Sequence, residues 1–414
     1  MLHVVLALGG AACWPALAAP EDVLSRLPQY SSPADVLSPY IGYSYTRDDN
    51  VLGIQNGPGT DAGSGNGAGA GDQSDTTRRV LAGLNVRKRI SRQVLSARLD
   101  FVRASYDKLS GLDHTSKDLI ANWNWHVGNR FEGNLGTSYL NELTPFSNFP
   151  SRERNMRTQR RDFVEGGWLI HPSWRLRTGF SRDQLKYEQE TQNAGDRNET
   201  MAEVGVDYLA RSGSIAGVQL RHTRGDLPNP QQFGTLLVDN SYDQQEIKAK
   251  INWLLTGKTQ ILFLGGLVQR KHDVFPARDY SGLNARLIAN WKATGKTSLN
   301  AGVWREIGAL DDLTASYTLN QGVHVGATWD MTSKLRLDGL VKHEYSDYSG
   351  TAAMASLQTI DRKDVFDTAS LKLTYRPTAK LQLAVMLYRK DRKSNIEGNN
   401  YPNSGITISS RYDF

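Results

Sequence analysis

The chain has 414 residues, with 49 Lys and Arg against 43 Asp and Glu, a net charge of +6 and one cysteine. This mild basic excess, without basic runs interleaved with aromatic residues, does not fit a nucleic-acid-binding protein. Beyond the N-terminal segment the longest uncharged apolar run, Ile261 to Val268, is far shorter than the ~20 residues of a membrane-spanning helix, so no such helix is predicted.

Residues 1–18 are predicted to be a signal peptide. Leu2 to Leu17 carry no charge, and Ala16-Leu17-Ala18 has the small-x-small pattern of a cleavage site, although His3 alone replaces the usual basic start. Cys13 lies inside this segment, so we expect a mature protein without disulfides or thiol chemistry.

The remaining sequence repeats one pattern. N-W-L-L-T-G-K-T-Q-I begins at Asn252 and N-W-K-A-T-G-K-T-S-L at Asn290, and related copies occur along the chain. Each copy has an aromatic residue, a short turn and a new apolar alternation, which indicates a repeated supersecondary unit. The repeated aromatic residues are Trp125, Trp168, Tyr208, Trp253, Trp291, Trp329 and Tyr375.

Each unit has the pattern of a β-hairpin. Between Ser281 and Trp291, alternate residues are apolar and the intervening ones are mostly polar, which predicts a two-faced strand. The alternation resumes after Thr294-Gly295-Lys296. Because the repeated aromatic residue ends the apolar stripe in every copy, the pattern favours the aromatic girdle of an outer-membrane barrel over a soluble sandwich.

We therefore predict an all-β fold, a transmembrane antiparallel up-and-down β-barrel with short periplasmic turns and long extracellular loops. Eight short turns join sixteen strands. A further strand at each end, Tyr40–Thr46 and Gly405–Phe414, gives eighteen strands, with sixteen as the alternative. Residues 39–414 would form the barrel and residues 19–38 a short periplasmic arm. The turns are expected near Ser91, Asn129, Pro172, Ser212, Gly257, Gly295, Ser333 and Ala379.

The last strand, G-I-T-I-S-S-R-Y-D-F, alternates and ends on an aromatic residue. Tyr412 and Phe414 resemble the C-terminal signal by which outer-membrane barrels are passed to the barrel-assembly machinery. This pattern predicts a protein of the outer membrane of a Gram-negative bacterium, in contact with outer-membrane lipid.

On each strand, the residues that alternate with the apolar ones are predicted to line the lumen. We expect roughly two basic groups for each acidic one, which would favour anionic solutes. The alternative is that mixed charges only solvate the lumen, and a register error of one residue would exchange the two faces. The predicted lumen residues are Arg87, Arg98, Arg175, Arg177, Arg221, Lys248, Lys250, Arg286, Arg336, Lys342, Lys372 and Lys390, with Asp100, Asp183, Glu246, Glu306, Asp338 and Glu344 as the acidic set.

An enzyme is not predicted. The sequence contains no H-E-x-x-H or G-x-S-x-G motif, and His324 and His343 have no companion that the sequence identifies. We expect no catalytic, cofactor-binding or metal-binding residues. A barrel lipid hydrolase is the rival hypothesis, and it requires a Ser-His-acid cluster at the rim or on the outer surface.

Three segments resemble one family of barrels. Y-T-R-D-D-N-V-L from Tyr45, N-W-H-V-G-N-R-F-E-G-N-L-G from Asn124, and the stretch from Phe146 through R-N-M-R-T at Arg154 are similar to EpsL-type exopolysaccharide-biosynthesis outer-membrane proteins, which are associated with exosortase systems. The resemblance implies a role in polysaccharide secretion and brings no catalytic residues.

Together these patterns give a functional hypothesis: a passive channel with a mildly cationic lumen that takes part in exopolysaccharide export. The partners would be an anionic polysaccharide and periplasmic export components, and no nucleic acid. The alternative function is a general diffusion porin for small anionic solutes.

Overall fold

The computed structural model describes residue 26 and residues 35–55, 73–146, 150–233, 236–274, 276–309, 317–349 and 362–414. The predicted signal peptide lies outside these residues. So do most of the predicted arm and the glycine-rich part of the first long loop.

Almost all of the described chain is β-strand, because the alternating pattern runs from end to end. Short 3-10 segments occur at Ser110–Leu112, Glu190–Gly195 and Pro276–Arg278. The strands are β1 Val36–Asp48, β2 Asp75–Ile90, β3 Gln93–Tyr106, β4 His114–Val127, β5 Phe131–Leu143, β6 Met156–His171, β7 Trp174–Tyr187, β8 Arg197–Leu209, β9 Ile215–Asp226, β10 Gln231–Phe233, β11 Leu236–Val238, β12 Tyr242–Leu254, β13 Thr259–His272, β14 Tyr280–Trp291, β15 Thr297–Ala309, β16 Tyr317–Asp330, β17 Leu335–Ser349, β18 Arg362–Tyr375, β19 Leu381–Ser394 and β20 Tyr401–Asp413.

Eighteen of these strands form one closed antiparallel sheet, and β10 and β11 form a separate small hairpin in a loop. Each barrel strand pairs with its neighbours in chain order, and β1 pairs with β20 from Tyr40↔Asp413 to Asp48↔Gly405. The prediction of eighteen strands is confirmed, and the sixteen-strand alternative is wrong. Closure leaves no unpaired edge to face lipid.

The first strand is longer than predicted and begins at Val36, so the end of the predicted arm belongs to the barrel. The reason is that β2 extends to Ile90 and provides hydrogen-bonding partners for Val36 to Pro39. Asp35 fixes this end, because its carboxylate accepts the backbone N–H of Arg89 at 2.8 Å. That bond and the ammonium of Lys88 hold the pKa of Asp35 below its usual range.

The two faces of the strands differ as predicted. On β14, Leu283, Leu287 and Trp291 are 50%, 41% and 48% exposed, whereas Asn284 is buried. On the other barrel strands, exposed apolar side chains lie at the positions that the strand pairing places on the same face as Leu283, Leu287 and Trp291. This face is therefore the outer one, and the other faces the barrel interior. We call the outward-facing band of apolar side chains the apolar belt.

All eight short turns lie at the predicted positions, at one end of the barrel. The opposite end carries the longer loops, three of which pack together. Leu52 of the first loop and Leu112 between β3 and β4 are fully buried with Tyr106, and Leu143 and Phe146 pack against this cluster. The loop end is therefore partly covered by its own apolar cluster.

The D-D-N sequence at the end of β1 closes the barrel at the loop end. Asp49 accepts the backbone N–H of Ser404 at 2.7 Å, and Asp48 accepts a hydrogen bond from Asn403 at 2.5 Å. Asn50, only 1% exposed, donates to the carbonyl of Pro402 at 3.0 Å. We call these contacts between residues 48–50 and residues 402–404 the seam lock.

Candidate functional site: the barrel wall

All twelve cationic residues predicted for the lumen lie on the inward parity of their strands. Most have a carboxylate partner on the same face. Arg98 lies 2.8 Å from Asp118, Arg286 lies 2.6 Å from Glu306, and Lys342 lies 3.0 Å from Glu344.

The predicted two-to-one excess of basic groups is wrong for the described strands. The inward parity carries nearly as many acidic as basic side chains, because the sequence interpretation left out residues on strands whose apolar alternation is weak. The additional inward acidic residues include Asp48, Asp118, Glu132, Glu142, Glu165, Glu199, Glu203, Asp207, Asp330, Asp364 and Asp413.

On one side of the barrel these charges form a continuous ionic network. Arg175 of β7 bridges Glu132 of β5 at 2.8 Å and Asp207 of β8 at 2.7 Å. Arg177 lies 3.3 Å from Glu203 of β8. The network continues across β8 to β9, where Arg221 lies 2.7 Å from Glu203. Because the positive and negative charges alternate, little net charge faces the solvent there.

The opposite side of the ring of strands carries aromatic side chains beside cations. Lys342 Nζ of β17 lies 5.3 Å from the ring centroid of Trp304 on β15, and the His324 ring lies 5.8 Å from Trp304. A Cβ on Gly322 would lie 2.4 Å from the Trp304 ring, so the ring rests on this glycine.

Four more such pairs follow along β17 to β20 and β1, and all lie on the inward parity. We call these residues, with Trp304 and Lys342, the aromatic–cation wall. Of these residues, only Lys342 and Lys390 were predicted for the lumen, although strand parity could have identified the others. The further pairs are Tyr348 with Arg362, Tyr388 with Lys390, Tyr401 with Arg392 and Tyr40 with Arg411.

Arg26, within the predicted periplasmic arm, lies against the inner wall. Its guanidinium is 2.6 Å from Asp118, and its backbone carbonyl accepts a hydrogen bond from Arg98 at 2.6 Å. At this residue the arm is inside the barrel, which corrects the prediction for that position.

The predicted girdle residues lie on the outward face at the turn end, and six of the seven are 43% to 48% exposed. The exception is Trp125, whose ring packs over Gly133, where a Cβ would lie 2.4 Å from it. Neighbouring aromatic residues that were not predicted for this girdle contact its members. Phe131 stacks on Trp168 with centroids 6.0 Å apart, and Trp174 meets the Tyr208 ring edge-on at 5.3 Å.

At the C-terminus, Tyr412 and Phe414 are both exposed on the outward face. Their rings meet edge-on with centroids 5.1 Å apart, and the backbone N–H of Phe414 donates to Pro39 at 3.0 Å. Their role as an assembly signal stays a prediction.

His324 and His343, the two histidines considered above as catalytic candidates, lie on opposite faces of the barrel wall. His324 faces inward and shares a hydrogen bond of 2.5 Å with Asn300, while His343 faces outward and lies 2.7 Å from Asp367. Within the described residues, no group of three His, Cys, Asp or Glu side chains could hold a metal ion. None of the helices in that part of the chain is long and apolar enough to cross a membrane.

A closed antiparallel barrel with an outward apolar belt, an aromatic girdle and a polar interior defines a porin-like outer-membrane β-barrel. The protein therefore lies in the outer membrane of a Gram-negative bacterium. A family model described as "Putative beta-barrel porin 2" matches residues 241–414, which contain β12 to β20.

No curated protein matches the chain in sequence. Among solved structures, the chain is similar to OpdK of Pseudomonas aeruginosa with vanillate, with a TM-score of 0.48, 10% identity and coverage of 91% of this chain and 99% of that chain. It is also similar to OccK2 (OpdF) of Pseudomonas aeruginosa, with a TM-score of 0.48, 10% identity and coverage of 91% and 98%. OccAB3 of Acinetobacter baumannii gives a TM-score of 0.45, 10% identity and coverage of 91% and 99%.

Proposed function

We propose that this barrel is a passive channel for an acidic exopolysaccharide. The observation that carries the proposal is the aromatic–cation wall, in particular Trp304 with Lys342 Nζ 5.3 Å from its ring centroid. An aromatic face packs against the C–H face of a sugar ring, and the adjacent ammonium attracts the carboxylate of an acidic sugar. The resemblance to exopolysaccharide-biosynthesis barrels supports the same substrate class.

The distribution of charge around the wall supports movement rather than tight binding. Cations on both sides of the barrel have carboxylate partners: Arg175 lies 2.7 Å from Asp207, and Lys342 of the aromatic–cation wall lies 3.0 Å from Glu344. Along the aromatic–cation wall, five pairs follow one another from β15 to β1. A chain of acidic sugars passing this side would meet many weak sites instead of one strong site, as conduction requires.

The second candidate function is a diffusion porin for small anionic solutes. It is favoured by the match of residues 241–414 to the family model described as "Putative beta-barrel porin 2". The two functions differ in whether a polymer interacts with the inner wall.

The test is single-channel conductance of the full-length barrel in planar bilayers, with polygalacturonate or neutral dextran of matched length added on the periplasmic side. We expect polygalacturonate to block the current at a concentration at least tenfold lower than dextran. Trp304→Ala should raise the half-blocking concentration of polygalacturonate by about fivefold. Trp291→Ala, the same change on the outward face of the neighbouring strand, should leave it unchanged.

Equal block by both polymers, or the same block in wild type and Trp304→Ala, would contradict the export channel. An open pore that conducts small anions and is not blocked by polygalacturonate would instead support the diffusion porin. A closed pore would contradict both candidates.

A further inference from the structure

A row of residues on the outward face crosses six strands at the same register. Each residue is the cross-strand partner of the next, and most of the side chains are small. The row is Val86, Ala97, Ala121, Thr137, Asp162 and Arg182.

The row forms the floor of a groove in the apolar belt. Larger side chains on the next outward row, including Leu95, Trp123 and Phe180, stand beside it, and the groove has a volume of about 620 Å³. Five interstrand spacings of about 4.8 Å make it about 24 Å long. These dimensions and the apolar walls suit an extended fatty acyl chain.

The groove is oblique to the membrane because barrel strands are tilted. Val86 lies near the turn end of β2, whereas Arg182 lies near the loop end of β7. At ~3.3 Å per residue and a tilt near 40°, Arg182 is about 20 Å above the girdle residue Trp174. The apolar groove thus rises from the periplasmic side and ends in a guanidinium in the outer leaflet.

The charge at the upper end is not balanced within the groove. Asp162 accepts a hydrogen bond from Thr137 at 2.7 Å and pairs with Arg160 at 2.9 Å. Among the described residues Arg182 has no hydrogen bond or ion pair, although Asp162 is its register partner. A lipid-facing arginine destabilises a barrel in proportion to its depth, so an anionic partner at this position would be stabilising.

We propose that this groove binds one acyl chain of lipopolysaccharide and that Arg182 pairs with a phosphate of its lipid A. The polar end lies in the outer leaflet, where this phosphate-bearing glycolipid is found, and the apolar floor runs from that end toward the membrane centre. The guanidinium matches phosphate in charge and in its paired hydrogen-bond geometry. This site is independent of the channel function proposed above.

The test uses the full-length barrel in nanodiscs made with a neutral phospholipid. Purified lipid A is titrated in, and retained lipid is counted by native mass spectrometry. Phosphatidylglycerol is the competing anionic lipid. We expect one tightly retained lipid A for the wild type. Arg182→Gln should weaken retention by at least tenfold, and Arg182→Lys should restore part of it.

Two further variants separate the site from general effects. Ala121→Leu fills the floor of the groove and should weaken retention while leaving Arg182 intact. Arg389→Gln removes an outward-facing arginine of β19, far from the groove, and should leave retention unchanged. Equal retention of phosphatidylglycerol and lipid A, or an unchanged affinity in both Arg182→Gln and Ala121→Leu, would overturn the proposal.

Discussion

The guanidinium of Arg26 lies 2.6 Å from the carboxylate of Asp118, which faces the interior of the barrel from β4. Arg98 of β3 also contacts Asp118, at 2.8 Å, and donates to the backbone carbonyl of Arg26. A residue from the N-terminal part of the chain is therefore attached to the inner wall by two independent contacts.

Arg26→Ala should increase single-channel conductance and reduce current fluctuations, because it removes a charged side chain and its ion pair from the lumen. Asp118 remains paired with Arg98, so the fold should be unaffected. Planar-bilayer recordings provide the measurement, with Arg211→Ala in the β8–β9 turn as the control. Identical conductance in wild type and Arg26→Ala would show that Arg26 does not restrict the pore.

The buried carboxylate of Asp207 is predicted to stabilise the barrel. It is 1% exposed and lies between Arg175 at 2.7 Å and Arg177 at 3.6 Å. Asp207→Ala leaves two partly buried cations, Arg175 and Arg177, with one carboxylate partner fewer and should lower the free energy of unfolding by about 3 kcal/mol. Urea unfolding in lipid vesicles measures this value.

The matched control for that experiment is Asp391→Ala. Asp391 pairs with Arg389, but on the exposed outward face, where the Arg389 side chain is 67% exposed. An exposed pair of this kind contributes little to stability, so Asp391→Ala should unfold nearly like the wild type. Equal losses in the two variants would mean that burial does not strengthen the Asp207 contacts.

Gly266 of β13 has no space for a side chain. An added Cβ would lie 1.8 Å from the backbone carbonyl oxygen of Ile247 on the neighbouring strand. Gly266→Ala should force β12 and β13 apart and cost about 1–3 kcal/mol, seen as a lower fraction of heat-resistant folded barrel on a gel. Gly257→Ala, in a turn with open space around it, should fold like the wild type.

Asn50 should be needed for a stable seam lock. Its side-chain amide donates to Ile54 at 2.8 Å and to Pro402 at 3.0 Å, and the residue is buried. Asn50→Ala removes both of these partly buried hydrogen bonds and should lower the free energy of unfolding by about 1–3 kcal/mol. Thermal unfolding of Asn399→Ala, in the adjacent β19–β20 loop, should match the wild type. A similar value for Asn50→Ala would show that the seam does not depend on this side chain.

The fold was predictable because its determinants are local. The aromatic residue at Trp253 or Trp291 and the turn that follows it recur within one hairpin, so strand parity and turn positions could be derived from short stretches of sequence. The first strand was predicted too short because its length depends on β2, which is separated from it by a long loop.

The charge balance of the wall was less predictable. The outward residues of β5 include Gly133 and Thr137, so the apolar alternation is weak there and the inward position of Glu132 was missed. The contact of Glu132 with Arg175 also skips a strand, from β5 to β7. Side-chain reach across strands follows from three-dimensional curvature, which no local sequence pattern contains.

The seam lock also constrains the order of biogenesis. Residues 48–50 enter the periplasm early, whereas their partners at 402–404 arrive with the last strand. Until β20 arrives, β1 pairs with β2 alone, and its open edge must be shielded from aggregation. A chain truncated before β20 lacks residues 402–404 and cannot form the seam lock. Only a chain that extends through β20 can therefore close the barrel.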